Sequence, residues 1–521
     1  NDLNLSKEDL EYLSSFDISP DVVSFQLEIL RGGARYLRLL EPVRRENGVK
    51  VLSQEEIVRY LKGYEKKVSH LEPIKFVPAS GAASRLFEDL IKANNSDEDI
   101  DGLFMTRHNT SLDLYLKNTL HFFENLNKFA VYVDLKEIFK QKGGDLDRII
   151  VNGNIKKVLN ILLSEEGLNY AHIPKALVKF HCYHEKEVRT PLEEHLVEGA
   201  YYVTGKNNIC RLHFTISPSK RKTFEEFLNL ITPNYEKKLD CKFAIGLSEQ
   251  DPSTDTLCID ERGEIVRDAN GNILLRPGGH GALLNNLQSL SGDLIFIKNV
   301  DNVCHDHLKP DVVLWKKVLG GLLLELKEKV HGFIRGIKEG SVRHREVMGF
   351  LEEEFCIESS TEGRDLEGEK ATLLGLLERP IRVCGVVKNL GEPGGAPFWV
   401  LTGDGKRVAQ IVEKAQVDMK DPGQRRLFEF SEYFNPVDIV CSIWDEKGYP
   451  YPLKEYSDEE AYIVTQKQYR GRTITVLEYP GLWNGRMAFW LTKFVEVPEH
   501  TFFPVKKVLD LLRYGHLPKF R

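Results

Sequence analysis

The sequence lacks the features that mark several protein classes. Its eight cysteines lie at least seventeen residues apart, so no close pair forms a zinc knuckle or a redox motif. No run of about eighteen uncharged apolar residues occurs, which argues against a membrane-spanning helix. The N-terminal segment has neither the basic start nor the apolar middle of a signal peptide. We therefore expect a cytoplasmic protein with free thiols and no membrane partner.

An excess of positive charge is also absent. Lys and Arg number 71 against 78 Asp and Glu, which gives a formal net charge of −7. This balance argues against a general nucleic-acid partner or a polybasic membrane surface. Any anionic ligand must therefore be bound by local cations. The apolar fraction of 42% and the charged fraction of 29% are those of an ordinary globular protein.

Hydrophobic periodicity predicts an α/β protein with two parts. Helical spacing dominates residues 1–72, which predicts an N-terminal helical cap. Strands then mix with helices over residues 73–521, which we interpret as one domain of layered α/β architecture. Within it, residues 87–170 show almost only helical patterns and predict a helical insertion. The patterns also predict a hairpin at Asn270-Gly271 and a last helix over residues 502–516.

A loop of small residues follows a short apolar strand at residues 76–86. We predict that a helix begins near Ser84, so that backbone N–H groups and a positive helix end favour a phosphate there. Arg85 adds a permanent cation that can bind two oxygens at once. Tight packing between a strand and a helix is the alternative interpretation of this loop.

Two further segments carry side chains suited to a phosphorylated ligand. Lys175 and Lys179 would share a face if their segment were helical, although two solvated lysines are the alternative interpretation. Gly278 and Gly279 allow close backbone approach to a planar ligand, and the neighbouring His280 can form hydrogen bonds; a plain hairpin exit is the alternative there.

A carboxylate follows the next apolar strand. Asp301 and Asn302 stand at the predicted carboxyl end of that strand, where open α/β sheets bind ligands. Mg²⁺ prefers one or two carboxylates together with phosphate oxygens of the substrate. The sequence therefore predicts a magnesium ligand at Asp301.

Taken in order, these segments resemble the motifs of sugar-phosphate nucleotidyltransferases, and above all of their UDP-sugar pyrophosphorylase branch. Residues 79–86 (ASGAASRL) resemble the A-G-G-x-G-T-R-L loop, and residues 174–177 (PKAL) resemble P-K-x-L. Gln250, residues 277–283 (PGGHGAL) and residues 300–302 (VDN) resemble the elements that follow in that branch. The chain is also similar to an uncharacterised bacterial family known only as a domain of unknown function.

Two C-terminal segments extend the resemblance. Residues 434–438 (FNPVD) are similar to F-N-T-N-N, and residues 503–512 (FPVKKVLDLL) are similar to L-P-V-K-T-x-S-D-L-L. The resemblance implies a Rossmann-like nucleotide-diphospho-sugar transferase fold of the GT-A type with a mixed central sheet. It further implies that a sugar 1-phosphate attacks the α-phosphorus of a nucleoside triphosphate, UTP in this branch, and that pyrophosphate leaves.

Site residues follow from the same resemblance, residue by residue. Such transfers depend on in-line positioning and on cations where negative charge builds. The implied catalytic cations are Arg85, Lys175 and Lys506. The implied substrate contacts are Ser80, Gly81, Ala82, Ser84, Gln250, Gly278, Gly279, His280, Asn302 and Asn435. The implied ligands of Mg²⁺ are Asp301 and Asp438. The partners would be a nucleoside triphosphate and a sugar phosphate, bound by a monomer or a small homo-oligomer.

Departures from the family pattern keep other functions open. Ser80 and Ala83 replace glycines, and a methyl group there could obstruct the phosphates, so an inactive nucleotide-binding or sugar-phosphate-binding relative is the first alternative. A glycosyltransferase is the second, but its D-x-D motif has a counterpart only in Asp145 and Asp147, which we interpret as a helix cap. A zinc hydrolase is the third. Its ligands would be Asp301, Cys304, His305, Asp306 and His307.

Overall fold

The structure, a computed structural model, describes residues 5–106, 112–183, 187–358, 365–391 and 394–519. The α-helices are α1 (Lys7–Ser14), α2 (Pro20–Gly32), α3 (Gln54–Lys67), α4 (Glu88–Asn95), α5 (Ile100–Thr106), α6 (Leu114–Glu124), α7 (Val131–Gln141), α8 (Leu146–Val151), α9 (Ile155–Leu163), α10 (Pro191–Ala200), α11 (Arg221–Leu239), α12 (Leu284–Gln288), α13 (Lys309–Glu339), α14 (His344–Phe355), α15 (Leu366–Leu377) and α16 (Pro422–Glu429).

Strands alternate with these helices along much of the chain. They are β1 (Arg38–Pro42), β2 (Val49–Lys50), β3 (Ile74–Pro78), β4 (His181–Cys182), β5 (Val188–Arg189), β6 (Ile209–Ile216), β7 (Lys242–Glu249), β8 (Cys258–Ile259), β9 (Ile295–Ile297), β10 (Ile381–Lys388), β11 (Ala396–Leu401), β12 (Arg407–Val412), β13 (Tyr433–Ser442), β14 (Ile463–Tyr469), β15 (Arg472–Glu478) and β16 (Leu491–Glu496).

The chain forms two compact units, and each unit is assembled from three separate stretches. The first unit contains Asn1–Phe76, Ser248–Ile297 and Lys317–Glu499. The second unit contains Val77–Leu247, Lys298–Lys316 and His500–Arg521. The predicted division into residues 1–72 and 73–521 cuts the chain only once, and it remains a prediction.

A mixed sheet lies at the centre of the first unit. Six of its strands are neighbours in the order β2, β16, β10, β13, β9 and β3. β16 runs parallel to β2 and β10, and β9 runs parallel to β3, whereas β13 is antiparallel to both of its neighbours. One face packs on a buried apolar cluster that includes Phe76, Ile297, Ile439 and Phe494. The prediction of an α/β fold with a mixed central sheet is confirmed.

Helices dominate the first part of the second unit. The predicted insertion at residues 87–170 contains α4 to α9, and each helix buries an apolar face. In α9, for example, Ile155, Val158 and Leu162 recur at helical spacing and are fully buried. Asp145 is the N-cap of α8, because its carboxylate accepts hydrogen bonds from the backbone of Asp147 and Arg148. The interpretation of Asp145 and Asp147 as a helix cap is therefore confirmed.

Three local predictions need correction. The helix expected at Ser84 begins at Glu88, after a 3₁₀ turn at Ala83–Arg85. The expected C-terminal helix consists of 3₁₀ turns that start only at Val508, because Pro504 and Val505 pair with Asn302 and Asp301 instead. The chain does turn at Asn270-Gly271 as expected, with Arg267 paired antiparallel to Ile273, but through isolated bridges rather than two extended strands.

No helix within the described ranges is both long and apolar enough to cross a membrane.

Candidate functional site

The small-residue loop of the second unit lies beside the segment that carries Lys175. The backbone N–H of Lys175 donates to the carbonyl of Gly81 at 3.0 Å, and that of Ala83 donates to Ile173 at 3.0 Å. Ala82 also forms a β-bridge with Pro174. Two motifs that are far apart in the sequence therefore run side by side, as the resemblance to a single phosphate site requires.

Most residues of this loop are exposed to solvent. Ala83 is fully buried in the apolar core, so its methyl group points away from solvent. A Cβ built on Gly81 would meet no atom within 4 Å, so packing does not require glycine there. The other loop residues are exposed to solvent. They are Ser80, Ala82, Ser84 and Arg85.

Asp301 lies on a turn of the second unit, four residues after the end of β9, and this turn is joined to the C-terminal segment. Val505 donates its N–H to the carbonyl of Asp301 at 3.1 Å, and Asn302 forms a bridge with Pro504. The side-chain oxygen of Asn302 accepts a hydrogen bond from the backbone of Phe503 at 3.0 Å. Asn302, predicted to contact substrate, thus holds the segment that carries Lys506.

Lys175, Asp301 and Lys506 form one ionic cluster in the second unit. The ammonium group of Lys175 donates to Asp301 Oδ2 at 2.7 Å and to the carbonyl of Val505. The ammonium group of Lys506 lies 3.0 Å from Asp301 Oδ2 and 3.3 Å from Oδ1. The side chains of Lys175 and Asp301 are 14% and 10% exposed, whereas that of Lys506 is 45% exposed. One buried lysine and one accessible lysine therefore share a single carboxylate.

The electrostatics of the cluster follow from this burial. Burial raises the pKa of Asp301, but the charges of Lys175 and Lys506 outweigh it and hold the pKa below its usual value. Burial lowers the pKa of Lys175, and the attraction of Asp301 offsets only part of this effect. Binding of a further anion would therefore stabilise the charged form of Lys175.

Asp510 is a residue of this site that sequence reasoning missed. One of its oxygens accepts hydrogen bonds from the backbone N–H groups of Lys506 and Lys507, both at 2.8 Å, and its side chain also pairs with Arg513. The Lys507 side chain points elsewhere, to an exposed ion pair with Glu88. The only signal was the aspartate in the L-P-V-K-T-x-S-D-L-L match. Asp510 orients the turn from which Lys506 reaches Asp301.

The glycine-rich loop belongs to the first unit, where its glycines are required by packing. A Cβ on Gly278 would lie 2.5 Å from the carbonyl oxygen of Thr254, and one on Gly281 would lie 1.9 Å from that of Pro480. Gly279 has a φ of +78°, a conformation that favours glycine. These contacts explain the glycines without a ligand, so their predicted role in binding a base remains a prediction.

His280 is held by its neighbours in the same unit. Its ring stacks on Trp483 with centroids 4.3 Å apart, and its Nδ1 accepts the N–H of Leu482 at 2.9 Å. Its Nε2 lies 3.4 Å from a carboxylate oxygen of Glu413. Contact of His280 with a substrate also remains a prediction.

The other predicted residues of the first unit have local partners. The amide of Gln250 donates to Asp255 at 3.5 Å. The side-chain oxygen of the buried Asn435 accepts the N–H of Val437 at 3.2 Å. Asp438 is buried on β13, where a Cβ built on Gly385 would lie 3.3 Å from its carboxylate. The predicted site residues therefore fall into two groups, one in each unit.

The donor set around Asp301 does not fit Mg²⁺. Within the part of the chain that the structure describes, no three His, Cys, Asp or Glu side chains are grouped to hold a metal ion. The oxygens of Asp301 face two ammonium groups rather than a second carboxylate, and an ammonium group repels a cation. The role of Asp438 as a second ligand of Mg²⁺ remains a prediction.

The segment suggested for zinc has another arrangement. His305 and His307 approach each other through their Nδ1 atoms at 3.0 Å. Burial raises the pKa of the Cys304 thiol to about 12, which disfavours the thiolate that zinc requires. Asp306 instead binds Arg189 and Lys309, each at 2.8 Å. These contacts favour a structural role for the segment.

A buried network centred on Glu194 joins four parts of the second unit. Nδ1 of His181 donates to Glu194 at 2.8 Å, and the other nitrogen of that ring lies 2.8 Å from Nδ1 of His516. Tyr183 and Lys309 also donate to the Glu194 carboxylate. Burial raises the pKa of Glu194, but Lys309 and His181 outweigh it and keep the carboxyl ionised. The network ties the C-terminal segment to α10, to β4 and to the start of α13.

Acid is expected to destabilise the fold through His305. This ring is 8% exposed, and burial lowers its pKa to about 4. In the unfolded chain, His305 binds a proton below about pH 6.5, whereas in the folded protein it does so only near pH 4. The free energy of unfolding that neutral His305 contributes is therefore fully present above pH 6.5 and falls by roughly 3 kcal/mol toward pH 4. The charges of His181 and His307 also lower the pKa of His305, whereas the charge of Glu194 raises it.

Urea unfolding at several pH values checks this expectation. The free energy of unfolding of His305→Gln should fall less steeply between pH 6.5 and pH 4 than that of the original protein, because one titrating group is gone. His500→Gln, at an exposed position, is the matched control. Equal slopes for His305→Gln and the original protein would contradict the assignment.

Residues 6–517 match the family model described as Domain of unknown function (DUF4301). The chain belongs to this family, which confirms the expected membership of a domain family of unknown function. No curated protein sequence matches the chain.

Solved structures of pyrophosphorylases show similarity at low sequence identity. The UDP-N-acetylglucosamine pyrophosphorylase of Trypanosoma brucei, in complex with inhibitor, has a TM-score of 0.48 and 14% identity, and the match covers 95% of this chain and 74% of that chain. The UDP-glucose pyrophosphorylase of Leishmania major has a TM-score of 0.45 and 13% identity, with 98% and 79% covered. A UDP-glucose phosphorylase of Trypanosoma brucei has a TM-score of 0.44 and 12% identity, with 97% and 77% covered.

Proposed function

We propose that this protein is a sugar-phosphate nucleotidyltransferase with a fold of the GT-A type. It would form a nucleotide sugar from a nucleoside triphosphate, with UTP as the first candidate, and a sugar 1-phosphate, with release of pyrophosphate. The observation that carries the proposal is the cluster of Lys175, Asp301 and Lys506. Three motifs from three distant stretches would meet in this way if they served one phosphate site.

The geometry supports specific roles for these cations. Phosphoryl transfer needs positive charge where the leaving pyrophosphate gains negative charge, and a fixed lysine supplies it without reorganisation. Lys175 is fixed by Asp301 and by the carbonyl of Val505, so it would hold one phosphoryl oxygen in a constant position. Lys506 is more exposed and would close on the triphosphate from the solvent side. Arg85 lies on the exposed loop beside Lys175 and would bind a further pair of oxygens.

A second candidate is an inactive relative that binds a nucleotide or a sugar phosphate without turnover. One observation favours it: the carboxylate of Asp301 contacts both lysines, so part of their positive charge is already offset. Release of pyrophosphate, measured with UTP and a panel of sugar 1-phosphates, separates the two candidates. Binding without release of pyrophosphate would favour the inactive relative. Cytoplasmic location and oligomeric state remain predictions.

Two adjacent lysines provide the sharpest test of the site. Loss of one charge-assisted contact costs about 1.5–3 kcal/mol, so Lys506→Ala should weaken UTP binding by about ten- to a hundredfold in calorimetry. Lys507→Ala should change it little, because Lys507 is paired with Glu88 on the surface and exposed pairs contribute about 0–1 kcal/mol.

The comparison controls for folding and for net charge, since both variants lose one positive charge from the same turn. Thermal unfolding should give the same midpoint for the two proteins. Equal affinities for UTP would remove the C-terminal segment from the site and would contradict the proposed function.

A further inference from the structure

Asp301 occupies the position that a phosphate would need. Its Oδ2 accepts hydrogen bonds from Lys175 at 2.7 Å and from Lys506 at 3.0 Å. A phosphoryl oxygen and a carboxylate oxygen are both oxyanions, and each binds an ammonium group at similar distance. The carboxylate and a phosphorylated ligand therefore compete for the same two cations.

The two lysines are not held equally. Lys175 has a second acceptor in the carbonyl of Val505, and its side chain is 14% exposed. Lys506 is 45% exposed and makes two longer contacts, at 3.0 and 3.3 Å, both of them to Asp301. Lys506 is the easier of the two to detach, because its hydrogen bonds are longer and solvent reaches it.

We propose that Asp301 is the internal counter-ion of the phosphate site rather than the ligand of a metal ion. Without a ligand, its carboxylate pairs with both lysines and offsets one of their two positive charges. An arriving phosphoryl group takes Lys506 from it first and then shares Lys175 with it. This inference rests on the proposed function, since it requires that the two lysines bind phosphoryl oxygens.

A counter-ion and a metal ligand at Asp301 predict opposite changes in phosphate affinity when the carboxylate is removed. Removal of a carboxylate that holds Mg²⁺ weakens the binding of a metal–phosphate complex. Removal of a counter-ion strengthens the binding of a phosphate without metal, because a competing negative charge within about 3 Å of the cations is lost. Asparagine keeps the shape of Asp301 and one oxygen acceptor for Lys175, so Asp301→Asn changes mainly the charge.

Calorimetry with inorganic pyrophosphate in the presence of EDTA shows directly whether loss of the Asp301 charge strengthens or weakens binding. Asp301→Asn should bind pyrophosphate about tenfold more tightly than the original protein. Glu88→Gln is the matched control, since it removes a negative charge that pairs with Lys507 on the same turn. We expect that control to change the affinity less than twofold.

The outcomes distinguish a failure of the counter-ion role of Asp301 from a failure of the proposed function. Equal or weaker binding by Asp301→Asn overturns the counter-ion role. If that variant does not fold, Asp301→Ser tests the same sign with a second neutral side chain. Failure of the original protein to bind pyrophosphate, or unchanged binding by Lys506→Ala, overturns the proposed function and with it this inference. Weaker binding by Lys506→Ala without tighter binding by Asp301→Asn overturns the counter-ion role alone.

Discussion

Replacing Glu194 by alanine should lower the free energy of unfolding by about 3–5 kcal/mol, the usual cost of removing one partner from a buried ion pair. Glu194 is fully buried, and its carboxylate is the acceptor for His181, Tyr183 and Lys309. Without it, the Lys309 ammonium group loses its buried counter-charge and two further donors lose their acceptor. The second unit should therefore unfold at much lower denaturant concentration.

Glu187 provides the matched control for this change. Its carboxylate binds the same Arg189 that approaches Glu194, but it is 40% exposed. Exposed ion pairs contribute about 0–1 kcal/mol, so Glu187→Ala should shift the unfolding midpoint in urea only slightly. A loss below 1 kcal/mol for Glu194→Ala would show that the network does not hold the second unit together.

Gly281→Ala is expected to have a comparably large effect on the first unit. The added Cβ would lie 1.9 Å from the carbonyl oxygen of Pro480, and a backbone atom cannot yield as a flexible side chain does. Overpacking costs about 1–3 kcal/mol, and a backbone clash belongs at or above the upper end of that range. Thermal or urea unfolding of the variant should show a loss of about 3 kcal/mol.

Gly81 is the natural comparison, because the resemblance assigned both glycine-rich loops to the ligand. A Cβ on Gly81 meets no atom within 4 Å, so Gly81→Ala should leave stability within about 0.5 kcal/mol of the original. Similar losses for Gly81→Ala and Gly281→Ala would refute the view that packing explains only the second loop.

The elements that sequence patterns predicted well are those whose cause is local. The long helix α13 and the apolar strand β10 have side chains whose spacing alone indicates their structure. The prediction of a C-terminal helix was wrong, although the leucines of that segment have helical spacing. Pro504 and Val505 pair with Asn302 and Asp301 instead of entering a helix, and a count of apolar residues does not reveal such distant contacts.

For the candidate site, the sequence predicted which residues lie together but not which groups they contact. Motif order predicted that Lys175, Asp301 and Lys506 act together, and the structure brings these three side chains into contact, although their roles remain predictions. The identity of the partner of Asp301 was not predictable, since a carboxylate at a strand end fits a metal ion or a lysine equally well. Only the tertiary arrangement distinguishes these partners.

The Glu194 network was missed altogether. Glu194 and His181 are ordinary residues in the sequence, and the second partner of His181, His516, stands more than three hundred residues away. Burial of a charge depends on which helices and strands surround it, and no local pattern encodes that environment.

The assembly of the second unit from three stretches affects the order in which the protein can fold. Its last stretch begins at His500 and supplies Lys506, Asp510 and His516. Contacts between such distant residues form late, because a long loop must close before they contribute. During synthesis, residues 77–247 leave the ribosome long before their C-terminal partners exist. We therefore expect the lysine cluster to form late in the folding of the second unit, after the stretch that begins at His500 has been synthesised.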